Sequence, residues 1–153
     1  MDFHHKDTKA PRDRSHQTFV SSCLGGEPIP PETELIAKAV VDCSFRVHSN
    51  LGPGLLESVY EVCLAHEFHK AGIPFEKQCS LPVVYDGIRL DAGLRLDFLV
   101  GGTVIVELKA VESLLPIHQA QLLTYLKLTR HRLGLLINFN VPLIKDGIRR
   151  VVL

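Results

Sequence analysis

Three residues in the middle of this 153-residue chain have types and spacing that could do chemistry. In Val104-Ile105-Val106-Glu107-Leu108-Lys109, the two-residue period of a strand puts Glu107 and Lys109 on one face and Val104, Val106 and Leu108 on the other. Burying two charged groups in an otherwise apolar strand costs roughly several kcal/mol unless they are paired, hydrated or bound to an ion. The pair is therefore either a salt bridge on an exposed face or part of a site. A second apolar strand, Arg95-Leu96-Asp97-Phe98-Leu99-Val100, carries another acid ten positions before Glu107. Register decides whether the two acids meet. A two-residue turn at Gly101-Gly102 would pair position 97 with 106 and leave the acids on opposite faces. A three-residue loop, Gly101-Gly102-Thr103, or a bulge would set 97 against 107. We expect the odd-length loop. The carboxylates then stand about 5 Å apart at Cβ, where they repel unless a hard dication bridges them. Oxygen donors of this kind suit Mg²⁺ or Mn²⁺.

The elements that must hold these residues can be read from periodicity. Proline at 31 with Glu32 and Glu34 behind it opens a helix whose stripe is Leu35, Ile36, Ala39, Val40, Cys43 and Val47, ending before Gly52. After the loop Asn50-Leu51-Gly52-Pro53-Gly54, residues Leu55, Leu56, Val59, Tyr60, Cys63, Leu64 and Phe68 predict a second helix, stopped by Gly72 and Pro74. Phe75, Cys79, Leu81, Val83 and Tyr85 fall on odd positions, and Asp86-Gly87 before Ile88 marks a hairpin. Arg95–Val100 and Thr103–Lys109 read as further strands. Pro116 introduces a helix over 117–130, and the apolar run 133–139 reads as a strand covered on both faces. Strand, crossover helix and buried strand make a right-handed parallel βαβ unit, and Lys145-Asp146-Gly147 with 148–153 adds one hairpin strand. The order is α-α-β-β-β-α-β-β, a mixed central sheet of about five strands flanked by helices.

Composition narrows the function classes. A chain of this length with 46% hydrophobic residues can fill one core. Residues 1–30 are polar and charged, then rich in Gly and Pro, and read as a flexible tail before a domain at 31–153. No stretch approaches the roughly 20 apolar residues of a membrane span, and no apolar signal core opens the chain, so a cytoplasmic location is expected. Cys23, Cys43, Cys63 and Cys79 are far apart without a C-x-x-C pair, which argues against a zinc knuckle and predicts reduced thiols, three of them in the core. Formal net charge is zero, so nothing global announces a polyanion partner. Locally, Lys127, Arg130, Arg132, Lys145, Arg149 and Arg150 face a single acid, Asp146, giving 6 − 1 = +5. That run is either a solvated face or a phosphate-facing patch.

With these residues in place the chain resembles a known family. Gly54-Leu55-Leu56-Glu57-Ser58-Val59-Tyr60 is similar to the motif that names the GxxExxY proteins. Asp97 with Glu107-Leu108-Lys109 resembles the D…E-x-K signature of the PD-(D/E)XK nuclease superfamily, in order with His118-Gln119-Ala120-Gln121 and Tyr125. Leu96 stands where the superfamily name has proline. The resemblance covers about residues 33–153. It implies an α/β restriction-endonuclease-like core and a Mg²⁺- or Mn²⁺-dependent nuclease. It assigns the metal to Asp97, Glu107 and the main-chain carbonyl of Leu108, with Glu57 as an extra carboxylate, directly or through water. It gives Lys109 the positioning of the attacking water. This agrees with the physics of a dication that acidifies water and stabilises phosphoryl charge.

Gln121 and Tyr125, four apart, share a helix face from which they could orient substrate or Lys109, or simply pack with polar tips at the rim. Glu57 also has a plain alternative as a helix-start acid facing the dipole. His66 and His69 are expected on an exposed face and His48 as a satisfied structural histidine. The expected function is hydrolysis of a phosphodiester of DNA, or secondarily RNA, by a metal-activated water. The alternative is a non-catalytic module that binds nucleic acid or a partner on the same fold. A small-molecule enzyme lacks any Gly-rich phosphate cradle. A homodimer is compatible with the sequence.

Overall fold

The computed structural model describes residues 26–153. Cys23 and most of the expected tail, residues 1–25, lie outside the described residues. The chain runs α1 (Pro31–Leu51), α2 (Glu57–Lys70), β1 (Phe75–Tyr85), β2 (Ile88–Val100), β3 (Val104–Lys109), α3 (Pro116–Thr129), β4 (Leu133–Asn138), a single turn α4 (Ile144–Gly147) and β5 (Ile148–Val152). The five strands lie side by side in chain order. All neighbours are antiparallel except β3 and β4, which α3 joins as a parallel crossover.

Two cores sandwich this sheet. On one face α1 and α2 bury Val40, Cys43, Tyr60, Leu64 and Phe68 against Phe98, Val106, Leu108 and Ile137. On the other, α3 lays Leu122 and Leu126 over Leu96, Ile105, Leu136 and Val151. β3 and β4 are covered on both sides, which is why their sequences are continuous apolar runs. The Asp86-Gly87 turn has the positive φ angles, 47° and 74°, that a two-residue hairpin of right-handed twist requires.

Three sequence expectations are corrected. Leu35 is exposed and the buried stripe of α1 runs through Ala37, Val40, Cys43, Ser44 and Val47, because the helix turns Ala37 and not Leu35 towards the sheet. Leu55 and Leu56 precede α2, and Leu55, Leu56 and Val59 are all exposed; the buried stripe is Tyr60, Leu64 and Phe68 at i, i+4, i+8. Arg95–Val100 is the second half of one 13-residue strand, β2, not a strand of its own. Of the cysteines, Cys43 is fully buried while Cys63 and Cys79 are half-buried, and all three are free thiols.

The close approach of α3 to β4 depends on Gly134. A Cβ there would meet Leu122 Cδ1 at 2.8 Å. Gly134→Ala should therefore lose about 1–3 kcal/mol of stability in urea unfolding. Adding Leu122→Val, which shortens the opposing side chain, should restore part of that loss.

Candidate active site

The β2–β3 connection sets the geometry. Phe98, Leu99 and Val100 pair with Val106, Ile105 and Val104, which leaves Gly101-Gly102-Thr103 as a three-residue loop. One step further along the same register, position 97 faces position 107. There the main-chain ladder stops and side chains take over. The Asp97 N–H donates to Glu107 Oε1 at 3.2 Å, and the Leu108 N–H donates to Asp97 Oδ2 at 2.8 Å. Each carboxylate thus accepts from the opposing strand an amide that would otherwise lack a partner.

Asp97 occupies a place where the strand changes faces. Leu96 packs in the core under α3, yet Phe98 packs in the core under α1 and α2. Residues two apart in a regular strand share a face. β1 makes the same inversion opposite, with Phe75 on the α1–α2 side and Cys79 and Leu81 on the α3 side. Gln78 stands at the crossing with φ 53°, a left-handed conformation unusual for any residue but glycine. Its amide donates to Glu61 Oε2 at 2.6 Å, and Glu61 also pairs with Lys77 at 3.7 Å, so α2 anchors the inversion.

Glu57 opens α2, which puts its carboxylate at the end of a short, tightly bound loop. The buried Tyr60 hydroxyl donates to the Gly52 carbonyl at 2.6 Å and accepts from the Leu55 N–H at 3.2 Å. Its ring stacks on Phe139 at 4.6 Å, and the Gly54 N–H donates to Asn140 Oδ1 at 3.1 Å. After Lys109, the buried Asn138 holds the chain through bonds from the Val111 N–H (3.1 Å) and to the Val111 carbonyl (2.9 Å). Gln78, Glu61, Asn138 and Asn140 are site-supporting residues that sequence reasoning missed. Asn138 alone left a signal, as the one polar residue in the apolar run 133–139.

The ionisable groups of the site act on one another. Glu107 is 6% exposed, and burial, followed by the Asp97 charge, pushes its carboxyl up to about 8, with Lys109 pulling the other way. Burial, then Asp97, also raises Glu57, again opposed by Lys109. Burial, then Glu107, raises the Tyr125 phenol, to whose oxygen the Gln121 amide donates at 2.8 Å. Asp97, Glu107, Lys109, Glu57 and Tyr125 therefore share one neighbourhood, with Gln121 at its exposed rim.

No group of three or more His, Cys, Asp or Glu side chains is gathered tightly enough to hold an ion among the described residues. The residues that could hold a metal are the Asp97–Glu107 pair. It fits a hard dication: two carboxylates, each using one oxygen on an amide, meet where burial disfavours a second negative charge. The histidines stand apart from this pair. His48 is buried with Nε2 2.7 Å from the Val141 carbonyl, and His66 and His69 are exposed on α2. His118 Nδ1 accepts from the Leu115 N–H at 3.1 Å and caps α3.

Comparison with family models matches residues 34–151 to the PD-(D/E)XK nuclease superfamily. The chain belongs to that superfamily. No curated protein and no solved structure matches it. The mixed α/β sheet with flanking helices is the restriction-endonuclease-like fold of the PD-(D/E)XK proteins. Membership points to a nuclease-like function on nucleic acid, and PD-(D/E)XK nucleases generally use divalent metals. Among the described residues no helix is long and apolar enough to cross a membrane.

Glu107 makes the metal-free protein sensitive to pH. Its folded carboxyl titrates near 8, against an ordinary value of 4.5, so between the two the folded state holds a proton that the unfolded state has lost. Its favourable contribution is complete below about pH 4.5 and is lost as pH rises through about 8. The fall is at most about 1.4 kcal/mol per pH unit over that window. Urea unfolding in EDTA across pH 5–9 should show this slope for wild type, and Glu107→Gln should flatten it.

Proposed function

We propose that this protein is a Mg²⁺- or Mn²⁺-dependent nuclease of the GxxExxY branch that hydrolyses phosphodiester bonds, of DNA in preference to RNA. One observation carries the proposal: the Asp97 and Glu107 carboxylates interlock across β2 and β3, with Lys109 two residues beyond Glu107 on the same face. The branch rests on Gly54, Glu57 and Tyr60, which build one bonded loop and bring Glu57 within electrostatic reach of Asp97 and Lys109. The functional unit is residues 31–153.

In this reading Asp97, Glu107 and the Leu108 carbonyl hold the metal, and Glu57 completes its shell directly or through water. The dication supplies positive charge to the scissile phosphate and acidifies water beside it. Lys109, which enters no ion pair among the described residues, orients the attacking water and offsets phosphoryl charge. Tyr125, aligned by Gln121, is placed to hydrogen-bond the substrate or the carboxylates. The β2–β3 amide contacts keep both acids from drifting when substrate binds.

Calorimetry with Mn²⁺ should give saturable binding by wild type and none by Glu107→Ala. Lys109→Ala should bind Mn²⁺ but cleave single- or double-stranded DNA about 10²–10⁴-fold more slowly. Equal Mn²⁺ affinity in wild type and Glu107→Ala would remove Glu107 as a ligand. Metal and DNA binding without any cleavage by wild type would assign a non-catalytic binding module instead.

A further inference from the structure

At the end of the sheet where β2 turns into β3, three strand residues before Glu107, lies a cavity of about 310 Å³. It opens between the start of α1, the 101–103 loop and the residues that follow α3. Thr33, Thr103, Arg130, His131 and Arg132 line it, so among the described residues its lining includes two arginines and no Asp or Glu.

Several features here have no purpose in the fold itself. Arg130 caps α3 in the left-handed conformation, φ 59°. Glycine takes such a position freely, whereas a side chain costs about 1–2 kcal/mol. Arg130 enters no ion pair among the described residues. Thr103 Oγ1 and His131 Nδ1 are buried without a hydrogen-bond partner among the described residues, although nearly all buried polar atoms find one and a failure costs about 1–3 kcal/mol. The 21-residue α1 begins here with no side-chain cap, which leaves the amides of Glu32 and Thr33 without a capping acceptor, although Glu32 and Glu34 in the first turn face the positive end of its dipole.

Two arginines line the cavity, and Glu27, Glu32 and Glu34 belong to the segment that enters α1 beside it. Arg132 donates to the carbonyls of Glu27 and Pro28, which fixes the segment entering α1 but does not neutralise the guanidinium. Glu34, the nearby first-turn acid, is taken by Arg150 in a two-point pair. Arg149 is bound to the carbonyls of Asp146 and Ile148. The basic run 127–150 is thus divided, and Arg130 with Arg132 is the pair that lines one cavity together.

We propose that this cavity is a phosphate-binding site, distinct from the carboxylate site on β2 and β3. A pair of arginines at a concave surface beside a helix start suits a compact, doubly charged oxyanion. The volume corresponds to about ten waters, which admits a phosphate with part of its shell or an attached sugar. The same chemistry serves a free phosphate ion or the terminal phosphate of a nucleic-acid strand.

The test is titration of the full-length protein with inorganic phosphate in EDTA, read by calorimetry and by thermal unfolding against chloride of equal ionic strength. Wild type should bind saturably and gain Tm with phosphate. Arg130→Gly suits the left-handed cap, so it should unfold at the same or a higher temperature without phosphate, yet bind phosphate roughly tenfold more weakly. Glu107→Ala should bind phosphate like wild type, which separates this site from the nuclease reading. Tighter binding of a 5′-phosphorylated than of a 5′-hydroxyl oligonucleotide would assign the site to strand ends; equal binding, with inorganic phosphate bound, would assign it to the free ion. A phosphate response no larger than that of chloride, or the same phosphate affinity in wild type and Arg130→Gly, overturns the proposal.

Discussion

The exchange of side-chain for main-chain hydrogen bonds between Asp97 and Glu107 is the constraint on which the site depends. Where the β2–β3 ladder ends, amides of both strands need acceptors, and the two carboxylates supply them. This satisfies the backbone and fixes both acids side by side in a place that disfavours their joint ionisation. The raised carboxyl of Glu107 is the electrostatic consequence of a local backbone solution. A dication held there would relieve that repulsion without disturbing the hydrogen bonds, because each acid retains a second oxygen.

The rest of the fold serves to keep those two strands in register. β3 is clamped between β2 and β4 and covered by helices on both faces, so it cannot slip by a residue without moving Val104, Val106 and Leu108 out of the core. The face inversion at Gln78 and Asp97 lets one ribbon feed the core under α1–α2 at one end and the core under α3 at the other. A left-handed non-glycine residue is tolerated at that crossing because Glu61 holds its amide from α2. Tyr60 works in parallel on the other side, tying the glycine loop to its own helix and, through Phe139, to the end of β4. Glu57 is thereby carried by a helix whose start is bonded to the sheet.

Charge is organised locally, not globally. The zero net charge conceals a pair of carboxylates at the middle of the sheet and an arginine-lined cavity at its end. The two lie close along β3 and share the 101–103 loop, which sets the register of the acids and lines the cavity. Arginines that read as one basic run are separated by the fold into ion-paired, carbonyl-bound and cavity-lining members. Their sum said little about what any of them contacts.

Sequence alone determined the elements, their order and the three charged residues of the strands. Apolar periodicity and turn residues report local geometry, and the chain obeys those rules at Pro31, Asp86-Gly87, Pro116 and the 133–139 run. The odd-length loop at 101–103 was also legible, because only one register places both acids together. What α1 and α2 bury was less legible: Leu35, Leu55 and Leu56 are apolar enough for a core, and only packing excluded them. Tertiary structure alone decided the inversion at Gln78 and Asp97, the anchoring roles of Glu61, Asn138 and Asn140, and the meeting of Thr33 with Arg130 and Arg132. These depend on contacts between residues far apart in the chain, and a hydrogen bond between distant polar groups leaves no periodic trace in the sequence.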